Sequence, residues 1–435
     1  MFLLYHAYVY LEFLILACTI YILAPITIIA GNNNIGKSTI GKILDAVFNA
    51  TYNIDEKMKK ARISSLAGRL CNDIENSKDK MQTYRRHLPR RYYQEFAANL
   101  LDNEKERQED ICKEFEKKLF LADEDQETNF AQMVHERLEE NEQISDQTFS
   151  KAIYTSYFSE VFHEQINSIF LPDRSAEIEL SIKEKKIGLT FEKNECTEEQ
   201  REIIISNSSL YIDDPFVLDE MNYNSPFGIS ELPIHKKNIL QKLMQREEKA
   251  VEEKAFSDLL IANKLEEIMQ IINRVAAGEI TKKQKYVYTL DEDSSKEIDV
   301  ASLSTGLKAF VILKQLLLNG NLQDKDVIVL DEPEIHLHPE WQMLYAEIIV
   351  LLQKKYNFHI VVTTHSAHFL EALELYSKKY KTSARCNYYL ANLQKEGAVF
   401  ENVTGNISKI YKQMVNPTLL LSNLREELET EDDEL

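Results

Sequence analysis

The chain has 435 residues, 44% of them hydrophobic, and a formal net charge of −20. That apolar content is enough for one or two sizeable cores and excludes a disordered chain, while the acidic balance excludes a protein that coats nucleic acid over its whole surface. The five cysteines (Cys18, Cys71, Cys112, Cys196 and Cys386) are scattered without a C-x-x-C pair, which argues against a disulfide framework or zinc knuckle and fits a reducing cytoplasm.

Residues 1–30 carry one carboxylate, Glu12, and no Lys or Arg. By length and apolarity residues 2–24 are long enough to span a membrane. They lack a positive flank, however, and Pro25-Ile26 runs straight into the next strand. The favoured reading is therefore buried strands or a wrongly placed start codon or reading frame, with a membrane segment as the lesser alternative.

Ile26 to Ala30 is a short buried-type strand, and Ser38 to Leu44 opens a helix. Between them Gly31-Asn32-Asn33-Asn34-Ile35-Gly36-Lys37-Ser38 fits G-x-x-x-x-G-K-[ST]. A loop of this kind cradles phosphates with successive backbone N–H groups and the helix N-terminus. Lys37 reaches the β/γ oxygens, Ser38 ligates Mg²⁺, and Thr39 completes the contact set, so ATP and Mg²⁺ are the expected cofactors.

Residues 52–165 read as mainly helical, with Glu, Lys, Leu and Phe at helical spacing and no heptad sustained long enough for a coiled coil. Within them Tyr84 to Tyr93 packs four arginines and three tyrosines into ten residues. Such a mix either grips a nucleic-acid backbone through a local basic patch or forms a solvated helical surface. Ala176 to Ile182 and Ile187 to Phe191 alternate as an antiparallel hairpin. Lys285 to Tyr288 and Glu297 to Val300 form a second strand pair.

Asp299 to Phe310 is a Ser-Thr-Gly turn running into an apolar helix, with the Ser304 hydroxyl and the Gly306 N–H at the helix N-terminus. Val327 to Leu330 is an apolar strand ending in Asp331 and Glu332. The first of these carboxylates suits the Mg²⁺ shell and the second suits polarising a water. Phe358 to Ser366 is a strand delivering His365 at its carboxyl end, where open α/β sheets bind ligands. His336 and His338 form a His-x-His beside carboxylates, but with no further Cys or His set nearby zinc is not expected. Glu426 to Glu434 is an acidic tail.

Taken in this order the motifs resemble those of ABC-type AAA family ATPases of the SMC, RecF and OLD group, over about residues 22–45 and 175–405. Leu303 to Leu307 resembles the LSGGQ signature, with Thr305 and Leu307 in place of Gly and Gln. Glu334 to Pro339 lies where such enzymes keep the D-loop, and His365 resembles the H-loop histidine that contacts the γ-phosphate. A Q-loop glutamine is not evident around Ser209 to Pro215.

The resemblance implies an α/β fold: an ABC-type P-loop NTPase head, with a mixed sheet and flanking helices, interrupted by a large helical insertion. The expected division is 1–50 and 171–405 for the head, 51–170 for the insertion, and 406–435 for a C-terminal helix and tail. Catalytic roles fall to Lys37, Glu332 and His365, nucleotide contacts to residues 31–39 with Ser304, Thr305 and Gly306, and metal binding to Ser38 and Asp331. The resemblance further implies head-to-tail pairing into a homodimer or higher oligomer, in which Ser304 and Gly306 of one protomer complete the site of the other.

With about thirty residues after the Leu393 to Val403 strands, no appended Toprim nuclease is expected. The chain then looks like the ATPase subunits of anti-phage systems of the Septu or PARIS kind, where a separate protein carries the nuclease. A RecF- or SMC-like ATPase that clamps DNA directly is the alternative, and a nucleotide-gated scaffold with negligible turnover is a third.

Overall fold

The structure is a computed structural model that describes all residues except 1–6, 14–15, 23–24, 77–87, 120–129, 170, 172, 183, 223–231, 246–264, 291–295, 395–396, 415–420 and 426–435. Tyr84 to His87 of the arginine-tyrosine run and the acidic tail lie outside the described residues. The chain divides into two units, one of residues 1–52 with 157–435 and one of residues 53–156.

The larger unit holds β1 (Ala7–Phe13), β2 (Leu16–Ile22), β3 (Ile26–Ala30), β4 (Ala176–Ile182), β5 (Lys185–Glu192), β6 (Glu195–Arg201) and β7 (Ser209–Ile212). It continues with β8 (Glu279–Lys282), β9 (Tyr286–Thr289), β10 (Glu297–Asp299), β11 (Val327–Asp331), β12 (His359–Thr364), β13 (Cys386–Gln394) and β14 (Gly397–Asn402). Eleven of these strands form one sheet in the order β6-β5-β4-β1-β2-β14-β13-β3-β12-β11-β7, and β10-β9-β8 form a second sheet.

From β13 to β7 every neighbour is parallel. The sequence explains why this block is central. All described residues of β3, β7 and β11 are buried, and so are five of the six in β12. Continuous apolar runs of this kind belong in strands covered on both faces. In β4 and β5, by contrast, burial largely alternates, as expected where one face meets the core and the other meets water.

The α/β mixed sheet with flanking helices agrees with the expected fold class. β4 and β5 pair as the expected hairpin, and β5 continues it to β6, which the sequence reading missed. Val300 belongs to a 3₁₀ turn, Val300–Ser302, rather than to the preceding strand, because the Asp299 side chain accepts a hydrogen bond from the Ala301 N–H and ends the strand there.

Residues 7–13 and 16–22 are strands. β1 pairs with β2 and β4, and β2 pairs with β14, so the segment lies inside the sheet order. Among the described residues no helix is long and apolar enough to cross a membrane. Deleting residues 1–24 is expected to leave edges of β4 and β14 without partners, lowering the urea midpoint by about 1 M or more and producing turbidity on concentration. An unchanged midpoint in urea denaturation would contradict this pairing.

The second unit is helical. Its core joins Leu66 and Leu70, Phe96 and Leu100, Phe115 and Leu119, and Phe130, Val134 and Leu138, each set spaced by four residues on one helix face. Phe96 stacks on Phe115 with ring centroids 4.0 Å apart. Tyr93, from the arginine-tyrosine run, is 2% exposed and belongs to this core, so it is unavailable to stack on a base.

Candidate nucleotide site

The carboxyl ends of β3, β11 and β12 come together because the strands are in parallel register: Thr364 lies beside Ala30, and Asp331 beside Thr363. The loop at 31–38 and the turns after Asp331 and Thr364 therefore leave the sheet at one edge, the side on which open α/β sheets bind ligands. Gly36, at φ 80°, makes the turn into the helix Lys37–Thr51. A residue with a Cβ would be strained there.

Lys37 is only 4% exposed. Its Nζ donates to the carbonyls of Gly31 (3.0 Å) and Asn32 (2.7 Å) and lies 3.2 Å from Glu332 Oε1. Asn32, Asn33 and Asn34 are exposed, Ile35 is buried, and Asn34 adopts φ 61°. Ser38 Oγ donates to Asp331 Oδ1 at 3.1 Å. A hydroxyl and a carboxylate held this close are hard oxygen donors suited to Mg²⁺, and the helix N-terminus beside them suits an anion, so the residues present fit a magnesium-nucleotide complex. Thr39, next along, is on the same first turn.

Asp331 is fixed from three sides. The hydroxyls of Ser38 and Thr363 both bond Oδ1, and the Tyr211 hydroxyl donates to Oδ2 at 2.6 Å. Burial, with the Asp331 charge beside it, holds the Tyr211 phenol well above its usual range, so it stays a donor at any working pH. Glu332 leaves the strand in the left-handed region at φ 48°, a costly conformation for a branchless but non-glycine side chain. Its N–H is tied down by the Thr363 carbonyl (3.1 Å) and hydroxyl (3.0 Å). The turn aims the carboxylate between Lys37 and His365, whose Nδ1 is 3.3 Å from Glu332 Oε2.

A buried network secures the phosphate-loop helix to β7. The Ser209 hydroxyl donates to Asp45 Oδ1 at 2.6 Å, Asn49 Nδ2 donates to the same carboxylate at 2.8 Å, and the Ser209 N–H donates to Asn49 Oδ1 at 3.0 Å. Burial pushes the Asp45 carboxyl up to about 6 despite these bonds. The parallel pairing of Ile212 with Leu330 brings Asp213, just past the end of β7, next to the Asp331 strand end. Asp213 Oδ2 faces His235 Nε2 at 3.2 Å.

The signature residues sit elsewhere on the unit. Thr305–Leu318 is a helix with Ser304 as its N-cap, yet the Ser304 side chain makes no capping hydrogen bond and the residue is exposed. Thr305 is half-buried and Gly306 is buried. A Cβ on Gly306 would come within 3.0 Å of the His336 carbonyl and 3.1 Å of the Trp341 ring, so glycine lets the helix start press on the segment after Asp331. Lys308 is buried, pairs with Asp219 at 2.5 Å and bonds the Ala301 carbonyl at 2.9 Å, which ties this helix to the turn Pro215–Asn222. Among the described residues no hydrogen bond joins 304–306 to the loop at 31–38.

His336 packs edge-on against Phe216, with centroids 5.6 Å apart, and His338 caps the helix Pro339–Tyr356 by accepting the Glu340 N–H. Both imidazoles thus have structural partners. The structure brings together Lys37, Ser38, Asp331, Glu332 and His365. It also adds Tyr211 and Thr363, to which the sequence reading gave no role, and Glu334, which that reading placed only in the D-loop stretch. The threonines just before His365 were the available signal, because residues of one strand end share a site with their neighbours in register.

The chain is similar to "SMC head domain from Thermotoga maritima", at 12% identity and a TM-score of 0.37, over 92% of this chain and 99% of that one. It is also similar to an Smc head domain with an extended coiled coil, bound to the C-terminal domain of ScpA and derived from Pyrococcus furiosus, at 12% identity and a TM-score of 0.40, over 94% of this chain and 99% of that one. Residues 192–371 match the family described as "AAA domain, putative AbiEii toxin, Type IV TA system". That match, with the phosphate loop and the carboxylates opposite it, supports a P-loop NTPase.

Proposed function

We propose that the chain is the ATP-hydrolysing subunit of a bacterial anti-phage defence system, acting in the cytoplasm as an ATP-dependent dimer that regulates a separate effector nuclease. The observation that carries the hydrolytic part is the placement of Glu332 between Lys37 and His365, on a strand end whose Asp331 faces Ser38. In this reading Gly31 to Thr39 cradle the phosphates, and Lys37 neutralises the β/γ oxygens. Ser38 and Asp331 hold Mg²⁺, which offsets charge on the transferred phosphoryl group. Glu332 orients and deprotonates water, and His365 contacts the γ-phosphate.

Pairing of two protomers is supported by the exposed Ser304 hydroxyl, which its own helix leaves unused, and by the absence of a hydrogen bond between 304–306 and the phosphate loop among the described residues. Ser304, Thr305 and Gly306 of one protomer then complete the site of the other. The defence role draws support from the matched family's description, which names a toxin of a toxin–antitoxin system. The helical unit 53–156 and the acidic surface supply docking area for the effector.

Coexpression with the product of the neighbouring open reading frame, followed by copurification, tests the regulatory part. The chain alone is expected to hydrolyse ATP and to leave plasmid and single-stranded DNA intact with Mg²⁺ or Mn²⁺. Cleavage that survives purification and disappears with a point mutation in this chain would instead make it a nuclease itself.

A further inference from the structure

Glu334 stands directly against His365, and the hydrolytic reading gives it no role. This side chain is 2% exposed. Its Oε1 accepts from the Thr364 hydroxyl at 2.6 Å and from the His365 N–H at 3.1 Å, while Oε2 is buried with no hydrogen-bond partner. Burial raises its carboxyl above the usual range, partly offset by those bonds. A carboxylate at this depth with one oxygen unpaired costs roughly 1–3 kcal/mol, which a purely structural anchor does not require.

His365 Nδ1 faces both carboxylates, 3.3 Å from Glu332 Oε2 and 3.7 Å from Glu334 Oε1. The other Glu332 oxygen is 3.2 Å from Lys37 Nζ. Glu332 thus has one oxygen on each cationic or donor partner, and a base so engaged is a poor acceptor for a proton from water. Both partners have to let go before it can act. Phosphate oxygens draw Lys37 away, since an ammonium binds a polyanion in preference to one carboxylate. His365 needs a second acceptor within reach, and Glu334 Oε1, 3.7 Å from its Nδ1, supplies one.

Resting on the hydrolytic reading above, we propose that Glu334 is a positioning residue: when nucleotide is bound it takes over the His365 Nδ1 hydrogen bond and releases Glu332 to the attacking water. The backbone of His365 does not have to move, because Glu334 already holds its N–H. The handover exchanges one hydrogen bond for another and transfers no proton. It makes Glu332 available only in the nucleotide-bound state.

Glu334→Gln keeps an amide oxygen for Thr364 and the His365 N–H but is a weaker acceptor for the imidazole. It is expected to lower kcat about tenfold with KM for ATP within about twofold, as loss of one charge-assisted hydrogen bond would. In a His365→Gln background the same change is expected to cost nothing further. An equal loss in both backgrounds, or a change in KM alone, overturns the handover while leaving the ATPase reading standing. A wild-type chain that hydrolyses no ATP overturns both. Independently of turnover, the Nδ1 signal of His365 in ¹⁵N-histidine-labelled wild-type protein, assigned by its loss in His365→Gln, is expected to shift when Mg²⁺ and a non-hydrolysable ATP analogue are added. No shift overturns the proposal even if Glu334→Gln fails to fold.

Discussion

Glu332→Gln is expected to bind ATP as the wild type does and to lose turnover by on the order of a hundredfold or more, the usual contribution of a positioned general base. The substitution is nearly isosteric, so the left-handed turn at φ 48° and the hydrogen bonds from the Glu332 N–H to Thr363 are retained. What disappears is the negative charge that can orient and deprotonate water. Lys37→Ala is the contrasting case. Its ammonium is held by the Gly31 and Asn32 carbonyls at the mouth of the loop, so its removal takes away phosphate neutralisation, and both binding and turnover are expected to be lost. Steady-state phosphate release, measured beside equilibrium nucleotide binding, separates the two. Hydrolysis by Glu332→Gln at the wild-type rate would mean that the base has been assigned to the wrong residue.

The second large effect concerns Ser304. Its hydroxyl is exposed and uncommitted at the start of the Thr305–Leu318 helix, so Ser304→Arg places a long cation where the γ-phosphate of a partner's nucleotide would dock, without touching the phosphate loop of its own chain. Monomer binding of ATP is expected to be unaffected, while ATP-driven pairing and turnover fall by on the order of a hundredfold. Lys37→Ala is inactive for the opposite reason. A mixture of the two contains heterodimers in which one site has an intact loop facing an intact signature, and activity is expected to return to at most about half of the wild-type level, since neither variant pairs with itself and each heterodimer carries one good site of two. Absence of recovery, with both variants folded and mixing demonstrated, contradicts sharing between protomers.

How far the site was legible follows from what each residue leaves in the chain. Lys37 and Ser38 are fixed by a local motif, and Asp331, Glu332 and His365 each end an apolar run, so strand ends and function could be read together. The parallel block announced itself in the same way, because β3, β11 and β12 are apolar without alternation. Tyr211, Thr363 and Glu334 left no such mark. Their roles depend on which strands become neighbours, and the chain separates Tyr211 from Asp331 by 120 positions. No Q-loop glutamine follows Ser209; Asp213 stands just past the end of β7 instead, and its place beside Asp331 is visible only in the strand register. Glu334 is hidden for a related reason: a glutamate in a polar turn reads as solvated until the strand end bearing Thr364 and His365 is seen to cover it. The partner strands of β1 and β2 were equally unreadable, because an apolar segment whose single charge is Glu12 carries no polar alternation to set a register.

If nucleotide binding drives association of two heads whose shared sites then hydrolyse ATP, sedimentation velocity of Glu332→Gln with and without Mg²⁺ and ATP will show it. Because this variant is expected to bind nucleotide without consuming it, it should sediment as a monomer alone and as a dimer once MgATP is added. The same sedimentation coefficient under both conditions, at concentrations where nucleotide binding is saturated, would rule out nucleotide-driven pairing.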